Sequence, residues 1–169
     1  MGPNIRRLHP EDADSLVALR REALAAHPLA FLASTEDDRG LSPDLVRDSL
    51  ADVDGQAVFG HFEGASLAGM VGVIRASRVK IRHKAHLWGM YVAPQARNKG
   101  AGRALLEAAI DHARGWPGVD QLHLGVTDVA VAAKRLYEAA GFRIWGREPR
   151  ALQWQGRFVD EFHLVLDLG

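Results

Sequence analysis

One stretch of the sequence constrains the fold more than any other: a turn with two glycines between a strand-like run and a helix-like run. The apolar run 85–92 has the length and texture of a strand. Beyond Pro94, apolar residues recur at helical spacing between Leu105 and Ala113. The turn Arg-Asn-Lys-Gly-Ala-Gly over 97–102 joins the two runs. The sequence therefore predicts a strand, a glycine turn and a helix in direct succession.

This turn, which we call the glycine cradle (residues 97–102), is suited to hold an anion. Consecutive backbone N–H groups at the positive end of a helix dipole bind phosphate oxygens. Gly100 and Gly102 lack side chains where the backbone must approach such an anion. Arg97, Lys99 and Arg103 can add charge-assisted hydrogen bonds from the rim. The cradle is therefore a candidate pyrophosphate site.

Two other phosphate-binding motifs do not fit these residues. No Gly-Lys-Ser or Gly-Lys-Thr closes the loop as a P-loop requires, and Leu105 occupies the third glycine of a dinucleotide fingerprint. The remaining candidate ligand is coenzyme A. The pattern Arg-x-x-Gly-x-Gly alone is weak evidence, because average residue usage produces it in roughly a few per cent of chains this long.

The rest of the chain alternates between strand and helix signals. Strands are predicted over 4–8, 57–62, 67–74, 85–92, 121–126, 143–153 and 158–168, and helices over 10–26, from 43, from the cradle to 114, and over 130–140. No repeat, linker or low-complexity stretch interrupts this order. The sequence predicts a mixed α/β fold with a single sheet, in one domain over 1–169.

Composition excludes several classes of function. Basic and acidic residues both number 21, so no net charge draws the chain to nucleic acid or to an anionic membrane. The chain has no cysteine, which excludes disulfides and a thiol nucleophile. No apolar run approaches the roughly 20 residues of a membrane span. His83 and His86 point to opposite faces of an extended chain, so no metal site is expected. A cytoplasmic protein is the simplest interpretation.

Two blocks of sequence together resemble the GCN5-related N-acetyltransferase (GNAT) superfamily. The first is Leu-Trp-Gly-Met-Tyr-Val-Ala-Pro over 87–94, leading into Arg-Asn-Lys-Gly-Ala-Gly-Arg-Ala-Leu-Leu over 97–106. The second is Leu-Tyr-Glu-Ala-Ala-Gly-Phe over 136–142. The resemblance implies a mostly antiparallel sheet of about seven strands, with a splay between the fourth and fifth and about four flanking helices. It also implies direct transfer of an acetyl group from acetyl-CoA to a primary amine of a small molecule or protein.

The resemblance also assigns donor contacts. The pantetheine arm pairs with the free edge of strand 87–92 by strand addition, and an N–H on that edge polarises the thioester carbonyl. No covalent enzyme intermediate is then required. The implied donor contacts are Met90, Tyr91, Val92, Arg97, Asn98, Lys99, Gly100, Ala101, Gly102, Arg103 and Ala133.

Two catalytic roles follow from the same resemblance. Tyr137 corresponds to the tyrosine that protonates the departing thiolate, and packing in the core is its alternative role. Many members carry a glutamate early in the strand that matches 85–92, and here His86 stands near that place. An imidazole can take the proton of the incoming ammonium directly or through water, and a structural hydrogen bond is the alternative for His86.

The sequence departs from the family at one position. Most relatives have an asparagine three residues before the alanine that matches Ala133, and this chain has Ala130. One hydrogen bond to the coenzyme arm is then absent, which implies weaker donor affinity, a longer acyl group or a replacement donor such as Thr127.

The acceptor groove is less well defined by sequence. In the family the first helices and the last hairpin flank it, so the acidic residues at 36–38 and at 160–161 are candidates to attract a cationic amine, or are simply solvated patches. Phe31, Trp88 and Trp154 are apolar enough to line the groove, although large aromatic side chains more often pack in the core. A homodimer through the C-terminal hairpin is a further expectation from the family.

Two other functions remain compatible with the sequence. One is a sensor or regulatory module that binds acyl-coenzyme A without chemistry, for which Ala130 and the unassigned base are the motivation. The other is a nucleotide-binding protein that uses the cradle without pantetheine. Thiol release from acetyl-CoA and protection by ATP against thermal unfolding distinguish these from an enzyme.

Overall fold

One mixed sheet of seven strands forms the centre of the fold. The computed structural model describes residues 2–169. In chain order the elements are β1 (Asn4–Arg7), α1 (Ala13–Ala26), α2 (Pro43–Ala51), β2 (Gln56–Glu63), β3 (Ser66–Arg75), β4 (Lys84–Val92), α3 (Ala101–Arg114), β5 (Gln121–Thr127), α4 (Val131–Ala139), β6 (Arg143–Trp154) and β7 (Arg157–Asp167). The strand order is β1-β2-β3-β4-β5-β7-β6, and every neighbouring pair is antiparallel except β4 and β5. The predicted fold is confirmed.

Helices cover both faces of this sheet. Successive strand residues point to opposite faces, so in β3 Val71 and Val73 join the core beneath α3 and α4, while Met70 joins the core beneath α1 and α2. We call these the α3–α4 face and the α1–α2 face. Each fully buried aliphatic side chain contributes about 1.5–3 kcal/mol to folding. Leucines buried on the α3–α4 face include Leu105, Leu106, Leu122, Leu124 and Leu164.

The predicted splay lies between β4 and β5. Their parallel ladder has only three pairs, Lys84 with Gln121, Ala85 with Leu122 and His86 with His123. Beyond His86 the two strands diverge, and β4 pairs on its other side alone, with β3. The edge of β4 that faces β5 therefore has no strand partner from residue 87 onward.

A β-bulge changes the direction of the side chains in the diverging part of β4. Gly72 of β3 pairs with Trp88, and Met70 pairs with Tyr91, so β4 holds one extra residue there. Gly89 adopts a φ of +66°, which glycine reaches without steric cost. After the bulge, Tyr91 packs on the α1–α2 face and Met90 packs against the α3–α4 face. Without it, these two side chains would exchange faces.

Some element boundaries differ from the sequence prediction. The first helix was expected from Pro10, but a 3-10 turn over Pro10–Asp12 precedes α1. The Asp12 carboxylate accepts a bond from the His9 N–H at 2.9 Å and two from Arg6 at 2.8 Å, which shapes this turn. The last helix begins at Val131, and Ala130 is its N-cap residue.

Candidate active site

A groove of about 790 Å³ opens where β4 and β5 diverge, and we call it the donor groove. It brings together the end of β4, the glycine cradle, the start of α3 and the N-terminal half of α4. Residues that sequence reasoning assigned to the donor and that line it are Met90, Tyr91, Val92, Arg97, Asn98, Gly100, Ala101, Gly102, Arg103 and Ala133. Lys99 was assigned with them but does not line the groove. The splay and the cradle thus form one continuous concave surface.

The cradle backbone presents free amides to this groove. Asn98 and Gly100 are both left-handed, with φ of +61° and +81°, and Gly100 caps α3 without a side-chain hydrogen bond to the helix. The first helical bond of α3 runs from the Ala104 N–H to the Gly100 carbonyl, so the amides of residues 101–103 lack a partner within the helix. A Cβ at Gly102 would lie 3.4 Å from Leu136 and 3.8 Å from Val92, two residues of the groove wall. The empty space beside Gly102 therefore belongs to the groove.

The basic side chains of the cradle are already engaged. Arg97 donates to the Val92 carbonyl at 2.8 Å, and its guanidinium lies 3.2 Å from His27. Lys99 turns away from the groove to Glu63 at 2.9 Å, which explains why it is absent from the wall. Arg103 pairs with Glu107 along the exposed side of α3. Exposed pairs of this kind are weak and exchange readily with a ligand phosphate. The backbone amides are thus the fixed part of the anion site.

Tyr91 contributes its backbone to the splay while its side chain points to α1. Its hydroxyl donates a 2.8 Å hydrogen bond to Glu22, and burial, together with this carboxylate, raises the pKa of Tyr91 to about 12. The bond anchors the end of β4 to α1. The bulge at Gly89 makes this arrangement possible, because it turns Tyr91 toward the α1–α2 face.

Some of the groove wall was missed by sequence reasoning. The loop that follows α1 lines it over residues 27–31, and Arg157 reaches it from the start of β7. Phe31 was a candidate for the acceptor groove or for the core, and it lines the donor groove. No sequence motif identifies Arg157 as a groove residue, because it follows an ordinary Gln-Gly turn. It reaches the groove only because the C-terminal hairpin of β6 and β7 folds beside it.

Tyr137 lies in the core beside the groove rather than in its wall. Only 6% of the residue is exposed, and its ring meets the Phe142 ring edge-on with centroids 5.9 Å apart. Its neighbour Leu136, and Ala133 one turn earlier, line the groove. Burial raises the pKa of the Tyr137 hydroxyl, so the group stays protonated at neutral pH.

His86 is the last residue of β4 that pairs with β5. Its ring lies 5.5 Å from the His123 ring, on the sheet face opposite Ala85 and Leu87, which point into the α3–α4 core. We call the part of the α1–α2 face that holds these two histidines the open face. Desolvation, with a smaller effect of Lys84, lowers the pKa of His86, and desolvation together with His86 lowers the pKa of His123 to about 4. Both imidazoles are therefore neutral at neutral pH.

A second cavity of about 320 Å³ lies between α1, α2 and β4. Trp88 forms part of its wall and packs directly on Gly72, where a Cβ would collide with the indole ring. Arg20 and Asp38 form an ion pair in the same wall, with only 13% and 9% of their side chains exposed. Trp88 was a candidate for the acceptor groove or for the core, and the structure packs it against the α1–α2 core in the wall of this cavity. Trp154, predicted with it, lines neither cavity.

The acidic residues suggested for amine binding have different partners. Asp38 pairs with Arg20, and Asp37 accepts bonds from the backbone and hydroxyl of Ser34. Asp160 pairs with Arg147 at 2.6 Å and accepts a bond from the Arg150 N–H. These three carboxylates hold the local structure together. Glu161 has no such partner among residues 2–169.

This chain has Ala130 at the position of the family asparagine. Ala130 caps α4 without a side-chain bond, while Thr127, which is 2% exposed, has an Oγ1 without a hydrogen-bond partner in residues 2–169.

A group of candidate metal ligands within residues 2–169 consists of Glu148, Glu161 and His163, whose donor atoms lie within 4.8 Å of one another. His83 and His86 are not part of that group.

Comparison with known proteins identifies the family. The model of the acetyltransferase (GNAT) family matches residues 16–142, well over half of the sequence. The chain belongs to this family, which confirms the resemblance. A mycothiol acetyltransferase of Stackebrandtia nassauensis is 28% identical over 151 residues, a match that covers 85% of this chain and 45% of that protein. The chain spans less than half the length of the curated relatives it matches.

Solved structures share the whole fold. An acetyltransferase of the GNAT family from Streptococcus pneumoniae superposes with a TM-score of 0.85 at 28% identity, covering 98% of this chain and 99% of the other. A GNAT superfamily phosphinothricin acetyltransferase from Sinorhizobium meliloti, solved in complex with acetyl-CoA, has a TM-score of 0.81 at 21% identity and covers 100% and 90%. The expectation of a family that binds acetyl-CoA is confirmed. Among residues 2–169, none of the helices is long and apolar enough to cross a bilayer.

Proposed function

We propose that this chain is an N-acetyltransferase that moves the acetyl group of acetyl-CoA directly to a primary amine. The observation that carries the proposal is the donor groove, where the unpaired edge of β4 and the free amides of the cradle meet in one surface. An extended ligand with amides at one end and a pyrophosphate at the other matches both parts. Acetyl-CoA is such a ligand.

Each part of the site has a role in this reaction. The pantetheine arm pairs with the backbone of residues 90–92, the cradle amides hold the pyrophosphate, and a β4 N–H near the bulge stabilises the oxyanion. The amine nitrogen attacks the thioester carbonyl, and the C–S bond then breaks. His86 accepts the proton that leaves the ammonium before attack, and Tyr137 supplies the proton to the departing thiolate. The second proton, which the nitrogen loses as the amide forms, returns Tyr137 to its protonated state. The acceptor is an amine of a small molecule or a protein.

The donor assignment predicts the effect of filling the space beside Gly102. Gly102→Val is expected to weaken acetyl-CoA binding by about 10-fold or more, because its methyl groups enter the groove between Leu136 and Val92 without displacing the protein backbone. Isothermal titration calorimetry measures the change. Gly146→Val, in an open position on β6, is the matched control and should bind as the parent does. Equal binding by both variants would remove the cradle from the donor site.

The role of His86 predicts a change in the pH–rate profile. A base with a lowered pKa gives an acceptor kcat/KM that rises with pH and reaches its plateau below the usual histidine range. His86→Gln should lower kcat by about 10-fold and abolish this acidic limb. His83→Gln, outside the β4–β5 ladder, is the control and should keep it. An unchanged profile in the His86 variant would assign that residue a structural role.

One observation favours a second function. Ala130 gives the donor no side-chain hydrogen bond, so a module that binds acyl-coenzyme A and regulates a partner is the alternative. Release of free thiol from acetyl-CoA, tested over a panel of amines, separates the two. A sensor binds the donor and releases none, whereas an enzyme releases thiol in step with acetylated amine.

We also expect a homodimer. β6 is an edge strand of the sheet, and Ile144 and Trp145 leave 41% and 59% of their area exposed on it. A second copy pairing along this edge would satisfy the free backbone groups of β6. Sedimentation equilibrium measures the assembly directly.

A further inference from the structure

Glu161 is a carboxylate on β7 that lies over the diverging part of β5. A Cβ at Gly125 would collide with its Oε1 and would lie 2.8 Å from its carboxyl carbon, so the glycine makes room for this side chain. His123 is the last β5 residue paired with β4, and Gly125 stands two residues beyond it. The carboxylate is therefore held beside the splay.

Strand alternation places this carboxylate on the open face. Leu124 and Val126 point into the α3–α4 core, so the Cβ direction of Gly125 is toward the opposite side, which it shares with His123. His86 pairs with His123 and shares that side as well. Glu161 and the proposed base thus occupy one surface, on the other side of the sheet from the helix α3 that begins at the cradle.

Glu161 has no cationic partner of its own. Its neighbour Asp160 is paired with Arg147, and Glu148 lies 3.3 Å from His163. Among residues 2–169, no lysine or arginine forms an ion pair with Glu161, although the side chain is half-buried. Burial raises the pKa of this carboxyl, His163 opposes that rise, and Glu148 adds a smaller increase. A partly desolvated carboxylate without a counter-charge is unfavourable, and a cationic ligand group would relieve that cost.

We propose that Glu161 binds the ammonium group of the acceptor and so selects amines that are cationic at neutral pH. The inference rests on the proposed acetyl transfer and narrows its acceptor to alkyl amines, whether on a small molecule or on a protein. Neutral aryl amines, alcohols and thiols lack the charge that this carboxylate requires. Glu161 holds the ammonium on the open face, and His86 takes its proton before the nitrogen attacks.

A matched pair of probes tests the charge requirement. Benzylamine is cationic and aniline is neutral at about pH 7.5, while both are small aromatic amines. Binding of each to the protein loaded with coenzyme A is measured by NMR titration in the parent, Glu161→Gln and Asp160→Asn. The parent should bind benzylamine in preference to aniline, and Glu161→Gln should weaken benzylamine binding by about 10-fold. Asp160→Asn should bind both probes as the parent does.

Kinetics supply a second readout where an alkyl amine is acetylated. Glu161→Gln should raise the acceptor KM by about 10-fold and leave kcat within about threefold, because the carboxylate stabilises both the bound ammonium and the nitrogen that becomes positive again as it attacks. The Kd of acetyl-CoA should stay constant. Binding of benzylamine without thiol release would contradict the proposed function but would still support an ammonium site at Glu161.

Several results would overturn the inference. Equal affinity of the parent and Glu161→Gln for benzylamine would do so, as would a parent that binds aniline as well as benzylamine or binds neither probe. The inference would also fail if Zn²⁺ alone raised the melting temperature of the parent but not of Glu161→Gln, while both proteins bound the amines equally. That outcome would make Glu148, Glu161 and His163 a metal site instead.

Discussion

Replacing Tyr137 by phenylalanine is expected to lower kcat by about 100-fold, while the Kd of acetyl-CoA changes by less than about twofold. The hydroxyl is held protonated by burial beside the groove, so it is suited to give a proton to a thiolate formed there. Phenylalanine keeps the ring and its contact with Phe142 and removes only the proton donor. Steady-state thiol release gives kcat, and calorimetry gives the donor Kd.

The control must separate catalysis from core packing. Phe142→Leu disturbs the same ring contact but leaves the hydroxyl in place, so it should lower the melting temperature with a smaller effect on kcat. Tyr137→Phe should melt within about 2 °C of the parent. If kcat survives in a stably folded Tyr137→Phe, the tyrosine is a core residue and the thiolate takes its proton elsewhere.

Asp38→Ala is expected to lower the free energy of unfolding by about 3–5 kcal/mol, the cost of leaving one member of a buried ion pair alone. Arg20 and Asp38 are paired beneath β4 with very little side-chain exposure, and a second bond joins them at 3.1 Å. Asp38 also accepts the Gly40 N–H. Alanine would leave the Arg20 guanidinium without a carboxylate partner, 5.5 Å from the centroid of the Trp88 ring. Urea unfolding measures the change.

Two further variants test whether the loss of stability comes from an unpaired buried charge. Arg20→Met combined with Asp38→Leu removes both charges and should recover most of the stability, because no buried charge is then uncompensated. Asp44→Ala breaks an exposed pair with Arg47 and should leave stability unchanged within error. A loss in Asp38→Ala that is no larger than in Asp44→Ala would show that the Arg20–Asp38 pair is solvated.

The same ion pair connects stability to the site. A Cβ at Gly89 would lie 3.2 Å from the Arg20 guanidinium, so this buried cation supports the bulge in β4. The bulge in turn directs Met90 and Tyr91 to opposite faces of the sheet. We therefore expect stable variants at Arg20 to change donor affinity, although Arg20 is not part of the donor groove wall.

Much of this architecture follows from local sequence. Apolar periodicity locates the seven strands and four helices, since a strand or a helix buries one face wherever it lies in the fold. The conformation of the glycine cradle also follows from local sequence. Gly100 adopts a positive φ that other residues avoid, and the helix that follows provides the free amides. The strand, turn and helix start that the resemblance assigns to the donor therefore lie within residues 87–106, and the Leu-Tyr block over 136–142 adds the rest of the resemblance.

Other features depend on contacts between residues far apart in the chain. Lys99 turns to Glu63, and Arg157 reaches the groove from the last hairpin, because partners from distant segments determine where a long side chain points. Phe31 lines the donor groove for the same reason. In sequence, Asp38, Asp160 and Glu161 are equivalent acids, and folding gives arginine partners to the first two and none to the third. The fold and the donor site are thus encoded locally, while the acceptor side depends on which charges folding leaves without a partner.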